Sequence, residues 1–348
     1  MKKTKSKQNQ NNQSISSSKQ IALIDWTTVH YLLPVFINKN IFPQQSGTIQ
    51  DIKNINSDLI IENNYLIRKY QGYSIGVPIQ IIPDKSLKIP EIKLYILAHK
   101  LTYIILAEVF FQKKFTNLII PKQRLVELLG YTPKDKQIYQ DIKITLNSLN
   151  QVDYLFDEYE FTKDRIIKTD NPQAVGSFIS NFKDDHKLFI FDVNENFVGC
   201  IQNFFSKEDR KKTKEERESI FQRGYFKYPL SSLLLMKNYS DSQYLLTQFL
   251  LKEKGNNKLK EDGFKVIALK VERYIKESNI QDKRISNSYS RFLSTLENIE
   301  IIQKTIPTLD ELKKLRPSIG LKTILRIWIV NPVEKLEEEI QRILKKRK

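Results

Sequence analysis

One order of hydrophobic and polar positions occurs twice along the chain, over residues 94–201 and again over 239–330. Each copy reads as an amphipathic helix, a short second helix, a third helix with a polar stripe, and β-rich runs. In the first copy Leu94, Leu97, Leu101, Ile104, Ile105 and Val109 recur at helical spacing and predict a helix over 91–111. Leu118, Ile119 and Ile120 predict a short strand. Pro121 stands at the first position of a second helix over 122–129, which Gly130 closes. A third helix is predicted over 136–151, buried through Ile138, Ile142, Leu146 and Leu149. Strand-like runs follow at 154–161, 175–182 and 187–193, with a polar excursion at 163–171.

In the second copy Ser240 or Asp241 can cap a helix that buries Tyr244, Leu245, Phe249 and Leu250 and stops before Gly255. Phe264, Lys265 and Val266 predict the short strand, 268–277 the second helix, and 283–299 the third, buried through Ile285, Tyr289, Phe292, Leu293 and Leu296. A hairpin is predicted from 300–306 and 321–330. Its tip carries an insert, 307–320, with Leu309, Leu312 and Leu315 spaced for a small helix. Three helices followed by a hairpin are the order of a winged helix, so the expected fold class is α+β, with two tandem winged helix-turn-helix domains.

Outside the copies, residues 1–20 hold five lysines, no acid and a run of Asn, Gln and Ser. Such a segment buries too little apolar surface to offset ordering, which predicts a disordered basic tail. The remaining organisation is an N-terminal winged-helix domain with an extension over 21–205, a charged linker at 206–223, a C-terminal winged-helix domain at 224–332 and a terminal basic helix at 333–348. Within the extension a helix is expected around 24–33 and an irregular strand pair over 70–82.

Charge sharpens the picture. The chain has 57 basic against 40 acidic residues, a formal net charge of +17, and that surplus favours a polyanionic partner. A lone cysteine, Cys200, excludes an internal disulfide framework and a Cys-rich zinc site, and fits a reducing cytoplasm. The apolar stretch 21–37 is broken by Asp25, His30 and Pro34, so no membrane span is expected.

In a winged helix the third helix enters the major groove and the hairpin meets the backbone or minor groove. On the second third helix, Arg284, Asn287, Ser288 and Arg291 are spaced to share the face away from the core. Arg forks onto guanine, Asn onto adenine, and Ser reaches phosphate or either base. An ordinary solvated helix face has the same polarity; two arginines in a Lys-rich chain favour base reading, because an ammonium does not replace a bidentate fork. The matching stripe of the first copy is Lys136, Gln140, Lys143 and Asn147, with Asp135 and Asp141 nearby and no Arg, which suits phosphate contact or dimerisation. Wing cations are Lys163, Arg165 and Lys168 in the first copy and Lys304, Lys313, Lys314 and Arg316 in the second.

Signatures of catalysis are missing. No Gly-Lys pair exists for a phosphate-cradling loop, and His30, His99 and His186 lack metal-ligand or nicking-site spacing. Asp184, Asp185, His186 and Asp192 leave a metal-dependent nuclease as an alternative, although turn aspartates ordinarily solvate the turn. No enzyme, cofactor or metal is expected.

The element order over about 90–330, with the segments Val175-Gly176-Ser177-Phe178-Ile179 and Asp192-Val193-Asn194-Glu195-Asn196-Phe197 and the run 239–251 that opens the second copy, resembles plasmid replication initiators built from two winged helices. The resemblance implies that one unit supports dimerisation and backbone contact while the other reads origin repeats. It also implies recruitment of host replication proteins. A transcription regulator or partition adaptor using the same helices is the other reading of double-stranded DNA binding.

Overall fold

The computed structural model describes residues 21–25, 36, 42, 47–48, 59–70, 73–81, 86–156, 159–161, 166–168, 173–198, 225–256, 260–261, 263–280 and 282–331. The expected tail at 1–20, the linker at 206–223 and the terminal helix at 333–348 lie outside them. The chain divides into two compact units with boundaries at Ile21/Ala22 and Tyr225/Phe226, Ala22–Tyr225 forming one and Ile21 grouping with the residues from Phe226 onward in the other. Both mix helix and sheet.

The first unit contains three helices, α1 (Ile96–Gln112), α2 (Lys122–Leu128) and α3 (Lys136–Gln151). Helix α1 begins five residues later than the apolar spacing predicts, because the backbone ahead of it is held elsewhere: the Lys93 N–H donates to Ser148 Oγ on α3. It is also not amphipathic in practice. Every residue from Ala98 to Val109 is buried, including His99, Lys100, Thr102 and Glu108, so α1 is the unit's central helix. Glu108 avoids an unpaired buried charge through Arg124, 2.7 Å away. Helix α3 follows its sequence closely: Asp135 accepts the Gln137 and Ile138 N–H groups as N-cap, and Ile138, Ile142, Leu146 and Leu149 are buried.

Strand Leu118–Pro121 pairs antiparallel with Leu188–Val193, which pairs in turn with Ile179–Asp184, closing a three-stranded sheet beside the helices. Pro121 ends that strand and caps α2, one position earlier than predicted. A second sheet is absent from the sequence reading. Its five antiparallel strands run in the order Gln173–Ser177, Asp153–Phe156, Tyr73–Pro78, Tyr65–Tyr70, Leu59–Glu62. Of the strand pair expected over 70–82, Tyr73–Pro78 joins this five-stranded sheet, and Gln80–Ile81 pairs instead with Ser86–Lys88. Ile21–Asp25 is a strand, so Ile24 and Asp25 do not open the helix expected around 24–33, whose other residues lie outside the described ones.

The second unit opens with strand Tyr225–Pro229 and a short helix, α4 (Ser231–Leu235). Helix α5 (Asp241–Asn256) runs through Gly255 instead of stopping before it. Strand Phe264–Lys270 takes the first three residues assigned by sequence to the second helix, because Ala268, Leu269 and Lys270 pair with Arg326, Leu325 and Ile324. Helix α6 is consequently Val271–Glu277, and α7 is Ile285–Glu297. Strand Ile324–Ile329 lies between Phe264–Lys270 and Ile302–Ile306 in a four-stranded sheet. Tyr274 ties the layers together: its buried hydroxyl donates to the carbonyls of Ile267 and Leu325, and its ring stacks on Phe292 of α7, 6.2 Å between centroids.

The insert forms two small helices, α8 (Leu309–Lys314) and α9 (Pro317–Gly320). Thr308 and Glu311 close a capping box on α8. Instead of extending from the hairpin, the insert folds onto α7. Leu312 is fully buried, its carbonyl accepts the Tyr289 hydroxyl at 2.8 Å, and Gly320 meets the Tyr289 ring so closely that a Cβ would collide with it.

Candidate nucleic-acid interface

Helix α7 divides its residues sharply. Tyr289, Phe292, Leu293 and Leu296 are buried, whereas Arg284, Asn287, Ser290, Arg291, Ser294 and Asn298 are exposed along the other side. The stripe starts before the first helical residue, because Arg284 holds the extended N-cap position and contributes no side-chain cap.

Asp282 organises this end. Its Oδ1 accepts the Arg284 N–H at 3.2 Å and the Asn287 side-chain amide at 3.4 Å, and its Oδ2 lies 3.8 Å from Arg291 Nη1. One carboxylate therefore gathers two of the predicted base-reading side chains. Arg291 keeps 59% of its side-chain surface exposed on the same face.

Ser288 is a correction. It is buried, and its Oγ accepts the Asp282 N–H at 2.9 Å, so it secures the entry to α7 and does not face a ligand. The spacing that groups it with Arg284 and Arg291 is right for a helix, but one step of about 100° separates Asn287 outside from Ser288 inside. Ser290, Ser294 and Asn298, which the sequence reading omitted, continue from Asn287 and Arg291 at helical spacing.

The cations of the insert flank α7. Lys313 lies 3.3 Å from Glu297 at its C-terminal end, and Lys314 and Arg316 are exposed. Lys304 sits 4.7 Å above the Trp328 ring, with the Arg326 guanidinium 5.0 Å from the same ring, so its stem is held against the sheet while its residue remains exposed.

In the first unit Lys136, Gln140, Lys143 and Asn147 form one exposed stripe on α3. The hairpin beside it is 179–193, not the polar excursion. Lys168 lies in strand Ile166–Lys168, paired with Tyr159–Phe161, and Lys163 and Arg165 fall outside the described residues. Exposed cations at the hairpin tip are instead Lys183 and Lys187. The turn there begins with Asp184, which bonds both Lys122 and Lys143. Burial raises the Asp184 pKa, but the two lysines outweigh it and hold the carboxyl below its ordinary range. Asp192 accepts the Asn117 N–H and the Asn181 amide, and both bonds lower its pKa. The aspartates that motivated the nuclease alternative thus face ammonium and amide groups. Among the described residues no three His, Cys, Asp or Glu side chains gather as a metal site, and no helix is long and apolar enough to cross a membrane.

No family model matches the chain, and no curated protein does. Two of the solved structures that match are of one protein. A crystal structure of RctB domains 2-3 is 8% identical, with a TM-score of 0.41, over 86% of this chain and 96% of that one. A selenomethionine structure of domains 2 and 3 of RctB is 11% identical, with a TM-score of 0.40, over 79% and 95%. Likeness at this level assigns no function to either unit.

Proposed function

We propose that both units are winged helices and that the chain is a sequence-specific double-stranded DNA-binding protein, acting at a replication origin in the manner of a plasmid initiator. The winged-helix reading rests on connectivity. The strand Leu118–Pro121 between α1 and α2 pairs with the last strand of the hairpin after α3, and the strand Phe264–Lys270 between α5 and α6 pairs with the last strand of the hairpin after α7. The observation that carries the DNA reading is the exposed face of α7, where Arg284, Asn287 and Arg291 surround Asp282 above a buried apolar side. Set in a major groove, that face presents two guanidinium forks and one amide to base edges. The α3 stripe, with one engaged lysine and no arginine, is assigned to backbone phosphates or to a homodimer contact. On this reading the chain performs no catalysis and relies on host replication proteins for unwinding.

Duplexes cut from the DNA adjoining the gene test the proposal. The full-length chain is expected to protect a series of direct repeats there at concentrations that leave a random duplex bare. Protection of a single palindrome assigns the chain to transcriptional regulation instead. Equal affinity for all duplexes removes the sequence-specific reading.

A further inference from the structure

We propose that Asp184 is a built-in stand-in for a DNA phosphate: it neutralises Lys122 and Lys143 in the free protein, and a backbone phosphate of duplex DNA displaces it on binding. The inference deepens the DNA reading above and rests on it. Three elements converge on the carboxylate. Lys122 comes from the start of α2, Lys143 from the exposed stripe of α3, and Asp184 from the hairpin turn. Its two oxygens are divided between the two ammonium groups: Oδ1 bonds Lys122 Nζ, and Oδ2 lies 2.6 Å from Lys143 Nζ.

The two lysines are held ready for an anion by more than Asp184. Lys122 also lies 4.9 Å over the Phe189 ring, and its backbone N–H donates to the Lys187 carbonyl, so its stem keeps its place if the carboxylate leaves. Lys143 is half-exposed between Gln140 and Asn147. Two ammonium groups that converge on a pair of anionic oxygens offer a phosphate the same charge-assisted hydrogen bonds they give a carboxylate. The other charged groups facing the turn are Lys183 and Lys187, which add attraction, and Asp185, which subtracts from it. The hairpin does not depend on Asp184 alone, because the Phe182 N–H also donates to Asn150 Oδ1 on α3. Masking sets the same displacement cost on every duplex, whatever its base sequence, and so holds down the affinity of this unit for DNA in general.

The test compares two substitutions of equal charge in the full-length chain, titrated with a random-sequence duplex across a salt series. Asp185, the next residue, bonds the His186 N–H. Asp184→Asn is expected to tighten random-duplex binding about tenfold and to steepen the log–log salt slope by about 1–2, as one or two further phosphates are engaged. Asp185→Asn should gain far less and leave the slope unchanged. In a Lys122→Ala/Lys143→Ala background the gain from Asp184→Asn should vanish. Equal gains for the two asparagine variants would reduce the effect to long-range charge and overturn the proposal. So would weaker binding by Asp184→Asn protein of unchanged melting temperature, which would make the carboxylate an anchor of the hairpin. If Asp184→Asn destabilises the fold, carbon NMR of the unmodified chain decides: the Asp184 carboxyl should titrate low alone and closer to its ordinary range with duplex bound, and a titration unmoved by duplex refutes displacement. A wild-type chain that binds no duplex at any salt fails the DNA reading itself, and masking falls with it.

Discussion

Duplex binding by this chain is expected to collapse as salt rises, by about 10³–10⁵-fold between about 50 and 200 mM, if about 6–10 phosphates are neutralised. The candidates for those contacts are spread over both units: Lys136, Lys143, Lys183 and Lys187 in the first, and Lys304, Lys313, Lys314 and Arg316 in the second. Each bound cation releases condensed counterions, so the slope of log affinity against log salt counts contacts and is indifferent to base sequence. Lys143 and Lys313 lie within 4 Å of carboxylates, at Asp184 and Glu297, which places the wild-type slope toward the lower end of that range. Anisotropy titrations at several salt concentrations supply the slope. A value near zero contradicts binding through the phosphate backbone.

The second large effect is on stability. His99 is buried in α1, edge-on to Tyr103 at 5.1 Å. Burial, and after it the charge of Lys100, push its pKa down from 6.5 to about 3. The folded chain therefore binds fewer protons at this site than the unfolded chain whenever the pH is below the unfolded value. Above pH 6.5 the site costs nothing. As pH falls from 6.5 toward 3, unfolding free energy should drop by about 1.4 kcal/mol per pH unit from this residue. Asp184 and Asp192 have lowered pKa values, so their contribution is present above their ordinary range and is lost only in stronger acid, below about pH 4. The interval between about pH 4 and 6.5 consequently isolates His99 from them. Denaturant melts at pH 7, 6 and 5 should show the loss in the native chain and a flatter profile in His99→Phe. Parallel profiles for the two would show that His99 is protonated in the folded state.

Local sequence carried the helices whose ends and faces are set by neighbours in the chain. Asp135 caps α3 two and three residues away, and the four apolar positions expected to be buried, Ile138, Ile142, Leu146 and Leu149, are buried, together with Thr145 and Ser148. It failed where a distant partner decides. Ala268 and Leu269 are adequate helix formers, yet the ladder to Arg326 and Leu325 draws them into a strand. Glu91 and Lys93 continue a helical pattern, yet Ser148, 55 residues beyond Lys93, takes its N–H. The five-stranded sheet was illegible for the same reason. Tyr65 donates to Asp153 at 3.0 Å across 88 residues, and nothing beside either residue announces the other.

The candidate site divides in the same way. Arg284, Asn287 and Arg291 were visible from residue type and period, and they share one exposed face. Ser288 had a suitable type in the wrong phase, and its hydroxyl is used by Asp282. The role of Asp282 itself had no signal, because an acid ahead of a helix reads as an ordinary first-turn charge. Asp184 carried a signal that was attached to the wrong chemistry. Its neighbours His186 and Asp185 invited a metal, but the residues that bond its carboxylate are lysines 62 and 41 positions earlier in the chain.

The central claim is that α7 reads bases and α3 holds the backbone, and one ratio measures it. Affinity for the protected repeat over affinity for a random duplex, at a single salt concentration, is compared among wild type, Arg284→Ala, Arg291→Ala and Lys143→Ala. Loss of a bidentate base contact costs about 1–3 kcal/mol, so the ratio should fall about 5- to 150-fold for an arginine variant. It should stay near the wild-type value for Lys143→Ala. A ratio that falls for Lys143→Ala and holds for both arginine variants would contradict the account and exchange the roles of the two helices.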